Sequence, residues 1–149
     1  MTRNQVDRAF DYEMLMKDAG LVAADAAALV AAAAKVINLG GASRIDGAVI
    51  IDVTVMDVGN DDELYDIIVQ GSASSTFATG INNLASLTIG SAGGHTTRGS
   101  DASLDLIGHY ELPFTNEQNG TSYQYLRLWT VVTGTSTGIN YIAHLAKKA

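Results

Sequence analysis

The chain has 149 residues, 47% of them hydrophobic, and it contains no cysteine. This length fits one domain with a single core, and the lack of cysteine excludes disulfides, thiolate nucleophiles and thiolate metal ligands. The formal net charge is -7 at pH 7, and most of the cations lie near the two ends of the sequence. Direct binding of nucleic acid is therefore not expected, because it needs a basic surface that displaces counterions from phosphate.

Residues 1–35 form an alanine-rich N-terminal segment. Ten of the sixteen residues from 19 to 34 are alanine, which has the highest helix propensity but buries little surface. Two interpretations stay open: a continuous helix, or a short helix over residues 12–18 followed by an extended arm, which we prefer. The segment is too weakly apolar to span a bilayer, and the first twelve residues lack the apolar stretch of a signal peptide. We expect a soluble protein with no membrane partner.

Residues 36–149 are predicted to form an all-β domain, an antiparallel β-sandwich or jelly roll. Apolar and polar residues alternate with a period of two, which is typical of sheets covered on one face. Turns rich in Gly, Asn, Ser and Thr separate about seven such strands, the first of them at residues 35–39. The residues predicted to face the core are Val49, Ile51, Val53 and Val55; Tyr65, Ile67 and Val69; Leu87 and Ile89; Leu104, Leu106, Tyr110 and Leu112; Leu126, Leu128 and Val132; and Ile139, Tyr141, Ala143 and Leu145.

The histidines and the glycine-rich stretches do not indicate an enzyme. The chain has no Gly-Lys dipeptide, so it lacks the phosphate-binding loop of nucleotide hydrolases. His95, His109 and His144 are not at the spacing of zinc ligands, and we interpret them as surface or hydrogen-bonded histidines. We therefore predict that the protein is not an enzyme and that it binds no cofactor.

The stretch of residues 57–66 is strongly acidic. Its five carboxylates belong to Asp57, Asp61, Asp62, Glu63 and Asp66. Calcium takes about six to eight oxygen ligands, so such a loop is a candidate cation site. Gly59, however, precedes the acids that it would follow in an EF-hand loop, and we prefer the interpretation of a charged loop that keeps one end of a sheet soluble.

A stripe of alternating aromatic residues and one arginine, which we call the aromatic stripe, includes the predicted strand that contains Leu126 and Leu128. If these two leucines face the core, the opposite face carries Tyr123, Tyr125, Arg127 and Trp129. Tyr, Trp and Arg are enriched at the hot spots of protein interfaces, because they combine a large contact area with a polar group. We predict a protein interface at these four residues. Two alternatives stay open: the aromatic rings face the core and the leucines pack elsewhere, or loops cover the rings within the monomer.

Three segments resemble stretches of the small jelly-roll cement proteins, or decoration proteins, of tailed bacteriophages. Residues 125–149, YLRLWTVVTGTSTGINYIAHLAKKA, are similar to the C-terminal hairpin of that family. Residues 36–41, VINLGG, are similar to its Val-Ile-Asp-Leu-Gly stretch, with Asn38 where Asp is more usual. Residues 66–77, DIIVQGSASSTF, resemble the strand and serine-rich turn that follow. The alanine-rich opening is longer than the usual leader of the family.

The resemblance implies a structural role in a virion. Members of the family bind the outer capsid surface as small oligomers and bridge neighbouring subunits of the shell. The expected partners are the major capsid protein and the chain itself, as a homodimer or homotrimer, on a virion assembled after synthesis in the host cytoplasm. An apolar terminal arm lying across a neighbour would raise avidity, and its candidate contact residues are Met14, Leu15, Met16, Leu21 and Val22. The alternative function is a carbohydrate- or receptor-binding jelly-roll module, since the same fold also hosts lectins.

Overall fold

A computed structural model of the protein describes residues 12–91 and 107–147. Within these ranges the protein consists of short and long β-strands and one 3-10 turn, Tyr12–Met14. The strands are β1 Leu15–Lys17, β2 Leu21–Val22, β3 Ala26–Ala27, β4 Leu29–Val30, β5 Ala33–Ala34, β6 Ile37–Asn38, β7 Asp46–Met56, β8 Leu64–Ser72, β9 Asn82–Gly90, β10 Gly108–Thr115, β11 Glu117–Gln118, β12 Thr121–Ser122, β13 Tyr125–Thr133 and β14 Ile139–Lys147.

Two antiparallel sheets pack into a sandwich. Sheet 1 has the order β1-β14-β7-β10, with β2 also paired to β14. Sheet 2 has the order β3-β13-β8-β9, with β6 also paired to β13. Two small hairpins, β4–β5 and β11–β12, lie outside these sheets. The all-β sandwich predicted from the sequence is confirmed.

The core lies between the sheets and is built from the apolar face of each long strand. Inward-facing residues of all four central strands are almost fully buried, and each aliphatic side chain contributes about 1.5–3 kcal/mol through burial. They are Val49, Ile51 and Val53 in β7, Tyr65, Ile67 and Val69 in β8, Leu126 and Leu128 in β13, and Ile139, Tyr141, Ala143 and Leu145 in β14. Ile89 and Leu112 join them as expected, whereas Leu104 and Leu106 lie outside the described residues.

The prediction that Val55 faces the core is wrong. Val55 is 53% exposed, because a bulge interrupts the pairing of β7 with β14. Asn140 lies opposite Val55 and Tyr141 lies opposite Val53, so that Thr54 is an extra residue on β7. A bulge of one residue reverses the inward and outward alternation beyond it. Met56 consequently packs against the core in place of Val55.

The alanine-rich segment is not a continuous helix but a series of short strands that contact both sheets. β1 and β2 pair with β14, whereas β3 and β6 pair with β13. The Ala28 amide also donates to the Leu128 carbonyl at 3.0 Å. Residues 15–38 thus cover the edge of sheet 1 along β14 and the edge of sheet 2 along β13. Both edges would otherwise present unpaired backbone groups.

The hairpin of β4 and β5 turns at two alanines in the left-handed conformation. Ala31 has a φ of 51° and Ala32 a φ of 62°, which are the signs of a type I′ turn. Alanine is disfavoured there, because its Cβ approaches the following carbonyl oxygen. The Asp18 carboxylate accepts a hydrogen bond from the Ala31 amide at 2.7 Å. This contact ties the turn to the end of β1.

Candidate functional site

The first candidate surface is the outer face of sheet 2. Tyr125, Arg127 and Trp129 alternate along β13 with the buried residues Leu126 and Leu128, so the structure places these three predicted interface residues opposite the core. All three are half-buried. Their strand lies beside β8, whose outward residues Asp66, Ile68 and Gln70 share the same face.

The Arg127 side chain is held in place on this face by two aromatic rings and an amide. Its Cζ lies 4.4 Å from the centroid of the Phe77 ring and 4.9 Å from that of the Trp129 ring. Its Nε donates to Oε1 of Gln70 at 2.9 Å, and Nε2 of Gln70 donates to Oδ1 of Asn83 at 3.0 Å. Burial lowers the pKa of Arg127 from its ordinary value. These contacts leave the guanidinium in one orientation before any partner arrives.

Phe77 was not recognised as part of this surface from the sequence. It lies in the loop between β8 and β9 and is buried against Arg127 although it belongs to neither sheet. Its φ of 52° is left-handed, a conformation that costs free energy in a non-glycine residue. An isolated aromatic residue in a turn of Ser, Thr and Gly is the signal that could have indicated a loop folding back onto a sheet.

Tyr123 does not belong to the exposed stripe. Its side chain is buried, and it packs so closely over Gly71 that a Cβ on that glycine would lie 3.0 Å from the tyrosine ring. The buried Asn116 accepts a hydrogen bond from the Tyr123 amide at 2.9 Å and donates from Nδ2 to the Tyr123 carbonyl at 2.9 Å. Tyr123 precedes the first residue of β13, so strand alternation does not apply to it. The predicted stripe of four residues is therefore reduced to three.

The second candidate surface is a groove of about 530 Å³ formed by the N-terminal segment. Six of its twelve lining residues are alanine, and we call it the alanine groove; the others are Lys17, Asp18, Gly20, Leu21, Val22 and Leu29. Two large apolar side chains at the groove are open to solvent, Leu21 with 58% and Leu29 with 45% exposed. Small side chains leave the backbone accessible, and the two leucines provide an apolar contact area.

The N-terminal interface residues predicted from the sequence do not form one surface. Met16 is buried in the core, and Met14 packs against the core, so neither side chain is presented to a partner. Leu15 is half-buried in β1. Leu21 and Val22 line the alanine groove. The structure thus places Met14 and Met16 at the hydrophobic core and Leu21 and Val22 at the groove.

Lys17 lines the alanine groove and is only 3% exposed. Its ammonium group donates to three carbonyl oxygens, at 2.9 Å to Asp18, 2.8 Å to Gly20 and 3.1 Å to Tyr141. Its Nζ also lies 4.7 Å from the centroid of the Tyr141 ring. Burial lowers the pKa of Lys17, and the nearby Asp18 charge partly opposes that shift. The ammonium therefore joins the turn after β1 to β14.

The acidic loop is held together by hydrogen bonds to its carboxylates. Oδ2 of Asp57 accepts from the amide and the hydroxyl of Thr137 at 2.7 and 2.8 Å, and these bonds lower the pKa of Asp57. Asp62 accepts from the Thr135 amide at 3.0 Å. Glu63 is fully buried and accepts from the Asn60 amide at 2.7 Å. In residues 12–91 and 107–147 no group of three acidic or histidine side chains could hold a metal ion, so the geometry does not favour the calcium interpretation.

Residues 134–138 match the G-x-S-x-G spacing of serine hydrolases, but their surroundings are structural. The motif connects two strands of different sheets, β13 and β14, and not a strand to a helix. Ser136 lies 2.5 Å from the hydroxyl of the buried Tyr65. A Cβ on Gly134, whose φ is 88°, would lie 2.3 Å from the Asp62 carbonyl oxygen. The glycine is thus required by the tight turn, without reference to catalysis.

The histidines do not converge on a site in the described part of the chain. His109 is exposed on β10, and its Nδ1 lies 2.7 Å from Oδ1 of Asp52. His144 is half-buried on β14, beside Leu15 and Ile50 in the sheet register. His95 lies outside the described residues.

No protein-family model matches the chain, and a search of curated proteins finds no match. Across residues 12–91 and 107–147, no helix has the length and hydropathy needed to cross a bilayer.

Proposed function

We propose that the protein is a cement protein of a tailed-phage capsid. In this role the β-sandwich binds the outer surface of the shell and links neighbouring subunits of the major capsid protein in the virion. The observation that supports the proposal is the alanine groove, where Leu21 and Leu29 are exposed beside small side chains. Exposed apolar surface of this kind is typical of protein-binding sites.

The groove is suited to binding because its walls are fixed before docking. Lys17 and the Asp18 carboxylate bind the backbone on both sides of it, at Gly20 and Ala31. A preorganised surface loses little conformational entropy when a partner binds. Alanine side chains also let the backbone of a partner approach closely. We expect the occupant to be an apolar segment of the major capsid protein.

The sandwich itself is suited to binding a shell as separate copies. Its strands are antiparallel and its β13 and β14 edges are covered by the N-terminal segment, so adjacent copies cannot add strands at these edges. Many copies fixed by the symmetry of a shell make even modest contacts effective, because each contact adds to the avidity of its neighbours.

The test is a binding assay with capsid shells prepared without this protein. The double variant Leu21→Ser and Leu29→Ser should bind them about 10- to 1,000-fold more weakly, because two partly exposed leucines lose part of their burial energy of about 1.5–3 kcal/mol each. Ile81→Ser is the matched control, since Ile81 is 40% exposed but does not line the groove. Thermal unfolding of both variants shows whether they remain folded.

Two outcomes would overturn the proposal. Wild-type protein that does not bind the shells, or a groove variant that binds them as tightly as the Ile81→Ser control, would exclude the alanine groove as the docking site. Binding to a glycan array by the isolated protein, lost on replacement of Trp129, would instead support a carbohydrate-binding function.

A further inference from the structure

Arg127 is a positive charge without a carboxylate partner in the described part of the chain. Its hydrogen bond from Nε goes to the neutral amide of Gln70, and its other contacts are the rings of Phe77 and Trp129. Guanidinium groups bind carboxylates through two parallel N–H donors. In Arg127 the hydrogen bond to Gln70 uses Nε, so the Nη donors are the ones that a carboxylate would contact. The partial burial that lowers its pKa would be offset by such a partner. The Nη side of Arg127 is thus suited to a carboxylate of another molecule.

Asp66 supplies a carboxylate on the same face of sheet 2. In the register of β13 and β8, Arg127 lies opposite Gln70, Trp129 opposite Ile68, and Val131 opposite Asp66. Asp66 and Gln70 are four residues apart, or about 13 Å along the strand. The Asp66 carboxylate accepts a hydrogen bond from the Thr88 hydroxyl and makes no ion pair with a described residue. The face thus carries a cation at one end and an anion at the other.

The row between these two charges is apolar and consists of Trp129 and Ile68. A twofold axis that lies in the plane of the face, crosses β13 and β8 roughly at right angles and passes through the midpoint of Trp129 and Ile68 places Arg127 of one copy opposite Asp66 of a second copy, and the reverse. We propose that this face is a self-complementary interface between two copies of the chain, with two Arg127–Asp66 pairs around a centre of Trp129 and Ile68. Such an isologous contact is the commonest form of homodimer.

A second copy of the chain is the occupant that the charges favour. The chain has 16 acidic residues against 9 Lys and Arg, so most of its surface would repel another acidic molecule. The outer face of sheet 2 is different, because Arg127 is fixed there by its ring contacts. Tryptophan at the centre of a patch, with an arginine and polar residues around it, is typical of energetic hot spots. The interface is separate from the alanine groove, which remains available to the shell.

The test is sedimentation velocity of the full chain over a range of protein concentrations at about 0.15 M ionic strength. The wild type should dimerise, whereas Arg127→Glu and Asp66→Arg, each alone, should place like charges at both pairs and weaken dimerisation about a hundredfold or more. A mixture of the two variants should recover a heterodimer, because each pair then unites opposite charges. The double variant should form a homodimer again.

Asp46→Arg is the matched control, since it changes the net charge as Asp66→Arg does but lies in β7 of sheet 1. It should dimerise like the wild type. A wild type that stays monomeric, a trimer, or single variants that dimerise normally would each overturn the interface, as would failure of the mixture when both variants have wild-type circular dichroism and thermal midpoints. Shell binding is measured separately, so loss of the cement function and loss of this interface are distinguishable.

Discussion

Replacing Lys17 tests whether the alanine groove depends on a buried charge. Lys17→Met keeps the length of the side chain but removes all three hydrogen bonds and the contact with the Tyr141 ring. The carbonyl groups of Asp18 and Gly20 can then bind water, because they are only partly buried, whereas the Tyr141 carbonyl is buried and loses its donor. We expect the protein to be less stable and the turn after β1 to open.

The magnitude follows from these contacts. A buried acceptor without a donor costs about 1–3 kcal/mol, and a partly buried cation–π contact contributes about 0.5–2 kcal/mol. Removing the charge also removes its desolvation cost, which is the cause of the lowered pKa of Lys17. The expected loss is therefore about 2–4 kcal/mol in the free energy of unfolding, or about 5–15 °C in the thermal midpoint of a chain of this size.

The assay is urea unfolding followed by the fluorescence of Trp129, together with hydrogen exchange, which should increase most in residues 18–22. A second variant, Lys17→Ala, leaves space for a small cation, and propylammonium chloride should restore part of its stability while equal sodium chloride does not. Equal or greater stability of Lys17→Met would refute the reasoning, because it would mean that the desolvation cost of the charge exceeds all of its contacts.

Two further predictions concern a buried phenol and a strained turn. Burial raises the pKa of Tyr141 to about 12 from 10.0, so its contribution to stability is complete below pH 10 and falls by about 2–3 kcal/mol as the pH rises to 12. Urea unfolding over this range should show a loss that is larger by this amount in the wild type than in Tyr141→Phe, because Tyr65 and Tyr110 also have raised pKa values in both proteins. Equal pH profiles would contradict it. The paired change Ala31→Asn and Ala32→Gly should stabilise the protein by about 0.5–1.5 kcal/mol, because Asn-Gly suits a type I′ turn. A thermal midpoint that does not rise would contradict this.

The long strands could be predicted from the sequence because their alternation is decided by local pattern. Tyr65, Ile67 and Val69 face the core, as a period of two requires. Val55 has the same pattern but faces solvent, since the bulge beside it depends on how Asn140 and Tyr141 pair across the sheet. A pairing between strands more than eighty residues apart leaves no local trace in the sequence.

The N-terminal segment shows the other limit of sequence-based prediction. Alanine favours a helix in isolation, but Ala26 and Ala27 are placed by pairing with β13. The edge of a sheet offers hydrogen bonds to any backbone that reaches it, and this outweighs a weak intrinsic preference. The role of Lys17 could not be predicted either, because its three acceptors come together only after β1 pairs with β14.

The aromatic stripe illustrates how much of a candidate site alternation can predict. It correctly placed Tyr125, Arg127 and Trp129 on the face opposite Leu126 and Leu128. It could not predict that a loop residue, Phe77, would fold onto that face, or that the amide of Gln70 would accept the hydrogen bond of Arg127. Both depend on the neighbouring strand β8 and its register.

The pairing of β1 with β14 has a consequence for the moment at which this protein can fold. On the ribosome the N-terminal residues emerge first, but Leu15 finds its place only beside His144, near the other end of the sequence. Sheet 1 therefore cannot be completed until translation has passed residue 144. Until then the strands β7 and β8 of the nascent polypeptide have unpaired backbone groups. These edges are sites for wrong pairing between neighbouring chains on the same polysome. We expect slow folding that is completed only after the residues of β14 have been synthesised, and a strong dependence of soluble yield on expression temperature.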